Sequence, residues 1–157
     1  MDITIHINTK KADKDYQSAI NEYCKRTSPF CKLSVTYHKK ADSILQLLNN
    51  AQKKNNTHII CIVPGKASIS SLELADGIKN LNLHGISSID CIIADSSFEG
   101  VIDFNNFNRS ILEINNYDMP SLLNISSFEF DNCLSAVVTC EQIYRAYTIL
   151  NNITYHK

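Results

Sequence analysis

The sequence has no apolar run approaching the roughly 20 residues needed to cross a bilayer. Its N-terminus, MDITIHINTKKADK, also lacks the apolar stretch and the small-residue cleavage site of a secretory signal. Fifteen Lys and Arg against sixteen Asp and Glu leave a formal charge of -1, which argues against nucleic-acid binding driven by overall positive charge. We therefore expect a cytoplasmic protein with no membrane segment, on which a local basic patch is still allowed.

The usual signatures of metal, disulfide and nucleotide sites are also missing. The six cysteines form no C-x-x-C pair and the five histidines show no H-x-x-x-H spacing, so nothing indicates a metal site. Cys61 and Cys91 lie in apolar runs, and Cys133 and Cys140 lie on one helical stripe, where a reduced thiol acts as a small apolar side chain. No G-x-G-x-x-G or P-loop pattern indicates a dinucleotide or a nucleoside triphosphate.

The composition is that of one folded domain. With 157 residues, 44% apolar and 20% charged, we predict a single domain spanning residues 1–157. Up to residue 94 the hydrophobic pattern alternates between strands and amphipathic helices. The predicted strands are 3–7, 33–37, 58–63 and 89–94, and the predicted helices are 15–26, 41–51 and one capped by Ser70 or Ser71. Such alternation predicts an α/β fold with a mostly parallel sheet flanked by helices.

The second part of the chain is less regular. Residues 95–120 fit neither period, so we predict a loop with one short element near 111–114. From Asn132 onward, apolar residues recur at steps of three and four, which predicts a final helix of about five turns. Asp131 or Asn132 is its expected N-cap.

Ligands of parallel sheets bind beyond the carboxyl ends of the strands, which directs attention to the turns after Val63 and Ala94. The turn Pro64-Gly65-Lys66 is better explained as a strand terminator with Gly at a tight bend than as a ligand site. The C-terminal segment offers a cation at Arg145 and a ring, an imidazole and an amine at residues 155–157. That mixture suits RNA, because cations engage phosphate and rings stack unpaired bases. A solvated helix face followed by a frayed tail explains it equally well.

The ending CEQIYRAYTILNNITYHK, residues 140–157, resembles the C-terminus of the RlmH family of ribosomal RNA methyltransferases. Members of that family typically end in an E-x-x-Y-R-A helix followed by a Y-H-[KR] tail. The matching residues here are Glu141, Tyr144, Arg145, Ala146, Tyr155, His156 and Lys157. The chain length, the opening strand and helix, and the P-G-K turn extend the resemblance over most of the sequence.

The resemblance implies the SPOUT α/β knot, in which the C-terminal segment is threaded through a loop to form a trefoil knot. It also implies a homodimer that uses S-adenosylmethionine to methylate N3 of a pseudouridine in 23S ribosomal RNA, with the site shared across the dimer interface. Arg145, Tyr155 and His156 are the residues it implies for the substrate. The implied cofactor contacts are Cys61, Asp95 and the segment Ile125, Ser126, Ser127, Phe128, Glu129 and Phe130.

The chain departs from the family at several points, most clearly at one turn. Where the family has I-G-G-x-x-G, residues 93–98 read IADSSF, and the nearest glycine is Gly100. Glycines let a backbone approach a ligand closely, so side chains at Ala94, Asp95 and Phe98 are expected to crowd or reshape the pocket. The alternative is therefore a catalytically degraded SPOUT homologue that dimerises and binds RNA without methyl transfer.

Overall fold

The computed structural model describes residues 1–51, 56–64, 68–94, 98 and 119–155. Within these residues the chain forms five strands and four helices. The strands are β1 (Asp2–Ile7), β2 (Lys32–Tyr37), β3 (Thr57–Ile62), β4 (Ser88–Ile93) and β5 (Leu122–Leu123). The helices are α1 (Lys14–Thr27), α2 (Ala41–Ala51), α3 (Ser71–Leu83) and α4 (Asn132–Leu150).

The five strands form one sheet in the order β2-β1-β4-β3-β5, and every neighbouring pair is parallel. Helices α1 and α3 each pack against α4 on one face of the sheet, and α2 packs against β3 on the other. The predicted α/β class with a parallel sheet flanked by helices is confirmed. No described helix is long and apolar enough to span a membrane.

The predicted elements agree with the structure to within a residue or two. Ser70 is the N-cap of α3 and forms a capping box, in which its hydroxyl accepts from the Glu73 N–H and its own N–H donates to the Glu73 carboxylate. Asp131 caps α4. Strand β5 was not predicted, because two residues are too few to show a period. The short element expected near 111–114 lies outside the described residues.

One position in β1 differs from its prediction. In the sequence, the polar Thr4 and His6 alternate with isoleucines, as expected of a half-buried strand, but the His6 side chain is buried. Its Nε2 lies 3.1 Å from Asp90 Oδ1 and its Nδ1 lies 3.0 Å from His38 Nε2. The imidazole is buried here because both of its nitrogens have hydrogen-bond partners, which removes the penalty of taking them out of water.

A second buried histidine predicts an acid-sensitive fold. Burial lowers the pKa of His58, on β3, from 6.5 to about 4, so the imidazole is neutral in the native state. The unfolded chain takes up this proton at higher pH, so stability is full above pH 6.5 and is lost as the pH falls toward 4. We expect a loss of about 3 kcal/mol from this group.

The measurement is urea unfolding across that pH interval for the wild type and His58→Gln, which removes the titrating group and keeps a polar side chain. At pH 8 the free energies of unfolding of the two proteins differ only through packing at this position. That difference should shrink as the pH falls, because only the wild type carries the titrating imidazole. A difference independent of pH would contradict a buried neutral imidazole at this position.

Candidate functional site

A cavity of about 370 Å³ opens at the carboxyl ends of β3, β4 and β5. One wall is made by the end of β3 and the residues after it, 62–64, and another by Ile93 and Ala94 at the end of β4. The segment between β5 and α4 forms a third wall, and Asn132 and Ser135 in the first turn of α4 close it. The cavity thus lies where ligands of parallel sheets bind.

The loop that lines this cavity is shaped by its own polar side chains. The Asn124 side-chain oxygen accepts from the Ser126 N–H at 3.2 Å, and the Ser126 hydroxyl accepts from the Phe128 N–H at 3.0 Å. Such side-chain to backbone bonds hold irregular backbone in a defined turn. Asp131 then accepts from the N–H groups of Cys133 and Leu134, which uses up donors at the start of α4.

The cavity brings together most of the predicted cofactor segment. Its lining includes Ile125, Ser126, Phe128, Glu129 and Phe130, with the exposed Ser127 between them. Two other predicted contacts lie elsewhere. Cys61 precedes the lining residues 62–64 and is fully buried on the α2 face of the sheet, and Asp95 lies outside the described residues.

Phe98 does not occupy the cavity, contrary to the expectation that it would crowd the pocket. Its side chain is fully buried in the apolar cluster between the sheet and α2. Its neighbours in that cluster include Ile44 and Leu48 of α2 and Ala94 at the end of β4. The ring is therefore buried on the opposite face of the sheet from the cavity. Of the residues predicted to crowd the pocket, Ala94 does line it, but only with a methyl group.

Several lining residues were not predicted from the sequence. Asn124 and Ser135 are two of them, and both are small polar residues of the kind found throughout this asparagine-rich and serine-rich chain. The one sequence feature that could have identified these lining residues was the predicted N-cap of α4. A predicted N-cap marks where a helix begins, and at the carboxyl edge of a parallel sheet the first turn of that helix faces the ligand site.

A second group of predicted residues surrounds Glu141 on α4. Arg145 donates to Glu141 Oε1 from Nε at 2.9 Å, and its Nη2 lies 2.8 Å from the same oxygen. The Tyr155 hydroxyl donates to that oxygen at 3.3 Å, and the Arg145 guanidinium lies 5.2 Å from the centre of the Tyr155 ring. Glu141 therefore organises the C-terminal residues that the sequence singled out.

The Tyr155 ring is already engaged within the chain. Its ring meets that of Tyr144 in a T-shaped contact at 4.8 Å between centroids, in addition to the Arg145 contact. Burial and the neighbouring Tyr23 raise the pKa of Tyr155 to about 12, so its hydroxyl remains a donor at neutral pH. These contacts hold Tyr155 against Arg145. His156, the third residue predicted for the substrate, lies outside the described residues, as does Lys157.

The two groups lie at different ends of α4. Ser135 lines the cavity in the first turn, whereas Arg145 is ten residues further along the helix. At 1.5 Å per residue this separates the two positions by about 15 Å. A ligand in the cavity of one chain is therefore distant from the Arg145 of that chain.

The Glu141 group is also tied to α3. The Gln142 side-chain amide donates to Glu141 Oε2 at 2.7 Å, and the Ser71 hydroxyl donates to Gln142 Oε1 at 2.7 Å. Both carboxylate oxygens of Glu141 thus have donors.

All six cysteines are free thiols. In the described part of the chain, no three His, Cys, Asp or Glu side chains are placed to hold a metal ion.

Comparison with known proteins gives full-length matches. Residues 1–156 match the family model described as a predicted SPOUT methyltransferase. The chain is 32% identical over 157 residues to ribosomal RNA large subunit methyltransferase H 1 of Thermoanaerobacter sp. (strain X514), with 100% of each chain covered. It is 33% identical over 168 residues to ribosomal RNA large subunit methyltransferase H of Fusobacterium nucleatum subsp. nucleatum, again with 100% of each covered.

Proposed function

The chain belongs to the ribosomal RNA large subunit methyltransferase H family of SPOUT methyltransferases, and from that premise we propose that it methylates N3 of a pseudouridine in 23S ribosomal RNA. The methyl donor in this proposal is S-adenosylmethionine. The observation that carries it is the open cavity beside β4, together with the placement of Phe98 on the other face of the sheet.

The cavity fits such a cofactor in size and chemistry. Its volume of about 370 Å³ lies within the range of roughly 300–1,000 Å³ for small-molecule sites. Its lining combines apolar side chains such as Ile62 and Ile125 with the polar groups of Asn124 and Ser126. Glu129 and Asp131 add two carboxylates at its wall, which suits a ligand that carries a positive sulfonium and an ammonium group.

When bound, S-adenosylmethionine supplies an electrophilic methyl group, so the protein needs no nucleophile of its own. Binding and alignment are then the main contributions of the chain. N3 of the pseudouridine must lose its proton to water or to a base, and a nearby cation stabilises the resulting negative charge. The hydrogen bond that Arg145 donates to Glu141 raises the pKa of Arg145, and this guanidinium is charged at neutral pH in any case. We propose His156 as the proton acceptor and Tyr155 as the group that positions Arg145.

The separation of Arg145 from the cavity supports a site shared between two copies of the chain. Exposed apolar side chains lie around the cavity and beside it: Phe128 is 77% exposed and Leu72 is 55% exposed. A second, mostly apolar hollow of about 500 Å³ shares Ile62 and Ile125 with the first and extends between α3 and α4. A second copy seated on this face would cover these groups, and we propose that the protein is a homodimer.

Three further statements belong to the same proposal. Residues 1–157 form one domain, as the single sheet and the family match over residues 1–156 favour. The C-terminal segment is threaded as a trefoil knot, as membership of the family implies. The protein acts in the cytoplasm, where its proposed substrate lies.

The degraded homologue remains a second candidate, and the absence of the family's glycines from residues 93–98 favours it. It predicts salt-dependent RNA binding with no cofactor binding. Methyl transfer ranks first because Ala94 adds only a methyl group to the cavity wall and the Phe98 side chain is buried on the other face of the sheet.

Calorimetric titration with S-adenosylmethionine tests the proposal directly. The wild type should bind, and a saturating concentration of about 100 times Kd should raise its stability by about 2.7 kcal/mol. Ser135→Leu places a branched side chain at the cavity wall and should weaken binding by about 10- to 100-fold. No heat and no thermal protection with the wild type at about millimolar cofactor would leave the RNA-binding homologue as the function.

The matched control is Ser18→Leu, at an exposed position in the second turn of α1. It makes the same chemical change at a distance from the cavity and should bind the cofactor as the wild type does. Thermal unfolding without cofactor checks that both variants are folded.

A further inference from the structure

Positive charge is unevenly distributed along this nearly neutral chain. Residues 1–54 contain ten Lys or Arg against five Asp or Glu, whereas residues 55–157 contain five against eleven. Four of the lysines stand in two short loops that leave the sheet at the same edge. Lys10 and Lys11 follow β1, and Lys39 and Lys40 follow β2.

The two loops lie beside the cofactor cavity. Ile7 at the end of β1 pairs with Tyr37 at the end of β2 and with Ile93 at the end of β4. Neighbouring strands are about 4.8 Å apart, so both loops begin within roughly 10 Å of the β4 end that lines the cavity. All four lysine side chains are exposed, and none forms an ion pair with another described residue.

The spacing of the two loops is fixed by hydrogen bonds between them. The His38 N–H donates to the Ile7 carbonyl at 2.9 Å, and the His38 ring lies 3.0 Å from a nitrogen of His6. His6 is in turn held by Asp90 on β4 at 3.1 Å. This chain of contacts joins β4, β1 and the loop after β2, so the two lysine pairs have a fixed base beside the cavity.

The acidic groups at this edge weaken the positive charge only in part. Asp13, Asp15 and Asp42 are exposed near the lysines, and they stand at the N-terminal ends of α1 and α2. The partial positive charge of a helix N-terminus offsets part of each carboxylate charge. Lys14, also exposed at the start of α1, adds a further cation. The two loops and the helix starts that follow them therefore carry five exposed lysines against three carboxylates, an excess of positive charge within a chain that has none overall.

We propose that Lys10, Lys11, Lys39 and Lys40 form a docking surface for RNA phosphates beside the cofactor cavity, called here the lysine edge. Lysines are point charges that bind phosphate without reading base edges. The lysine edge therefore supplies affinity and orientation, while selection of the nucleotide remains with the cavity and the C-terminal residues. This inference rests on the proposed function only in taking RNA as the substrate.

The test measures binding of a labelled oligouridine strand of about 20 nucleotides as a function of salt, from about 50 to 200 mM. The variants are Lys10→Ala/Lys11→Ala and Lys39→Ala/Lys40→Ala. The control, Lys25→Ala/Lys32→Ala, removes two exposed lysines from the amino edge of the sheet. Each lysine-edge variant should reduce the slope of log K against log salt by about 1.4 and weaken binding roughly tenfold, with no change in the control.

Three results would overturn the inference: no binding by the wild type at low salt, equal losses in all three variants, or a changed oligomeric state in the lysine-edge variants alone. The last would mean that the surface contacts a second copy of the chain. Calorimetry with S-adenosylmethionine on the same preparations separates the two proposals. If only the lysine-edge variants lose RNA affinity and the wild type does not bind the cofactor, the lysine edge is upheld and methyl transfer is rejected. If the wild type binds the cofactor and all three variants lose RNA affinity equally, methyl transfer is upheld and the lysine edge is rejected.

Discussion

Replacement of Phe98 by alanine is expected to lower the free energy of unfolding by about 3–5 kcal/mol. The side chain is fully buried between the sheet and α2, so its removal forfeits transfer free energy and leaves a cavity that the surrounding core closes only in part. Urea unfolding at pH 8, where His58 is neutral in both states, measures the change without a contribution from its titration.

Phe128→Ala is the matched control, because it deletes the same atoms from a side chain that is 77% exposed. Its effect on the free energy of unfolding should stay within about 0.5 kcal/mol.

The same two variants, Phe98→Ala and Phe128→Ala, also test the proposed function. If Phe98 obstructed the cofactor cavity, Phe98→Ala would bind S-adenosylmethionine more tightly than the wild type. We expect no such gain, and a clear gain would favour the homologue that has lost methyl transfer.

The strands and helices were predictable because their apolar spacing is strong. The three-and-four steps of α4 leave one reasonable assignment, and the continuous run at β3 is ended by a Pro-Gly turn, as expected of a buried strand. Each cap was predicted as one of two residues, Ser70 or Ser71 and Asp131 or Asn132, and the structure shows Ser70 and Asp131. The strand order β2-β1-β4-β3-β5 was not predictable from the residues, since periodicity does not show on which side of β1 a later strand will pair.

The site was predicted unevenly for similar reasons. The segment before α4 was identified by family resemblance, and its place at the cavity follows from the strand ends that surround it. The direction of Phe98 could not be predicted, because a loop residue has no period to indicate which face it joins. Glu141 was part of the matched motif, yet its role as a common acceptor for Arg145 and Tyr155 appears only once the tail is folded back on α4.

The distance between Ser135 and Arg145 leads to the sharpest prediction of the shared site. Ser135→Leu damages the cavity, and Arg145→Ala removes the cation at the far end of α4. At a cofactor concentration near the wild-type Kd, Ser135→Leu should transfer methyl groups to large-subunit ribosomal RNA about 10- to 100-fold more slowly than the wild type. Arg145→Ala should be at least about 100-fold slower. Only Ser135→Leu should also lose cofactor binding, since Arg145 lies about 15 Å along the helix from the cavity of its own chain.

Coexpression of the two variants with different affinity tags yields mixed dimers that separate this arrangement from one in which each chain acts alone. In a mixed dimer, one of the two sites combines an intact cavity with an intact Arg145 from the other chain. Random pairing makes about half of the dimers mixed, so the mixture should recover about a quarter of the wild-type rate. No recovery would mean that Arg145 serves its own chain. Glu141→Gln is the control, because it removes the carboxylate charge and keeps the cation, while its amide oxygen can still accept from Arg145 and Tyr155. We expect this variant to retain most of the methyl transfer activity, because the substrate requires the positive charge of Arg145. If Arg145 mattered only through its ion pair with Glu141, this variant would lose methyl transfer as Arg145→Ala does.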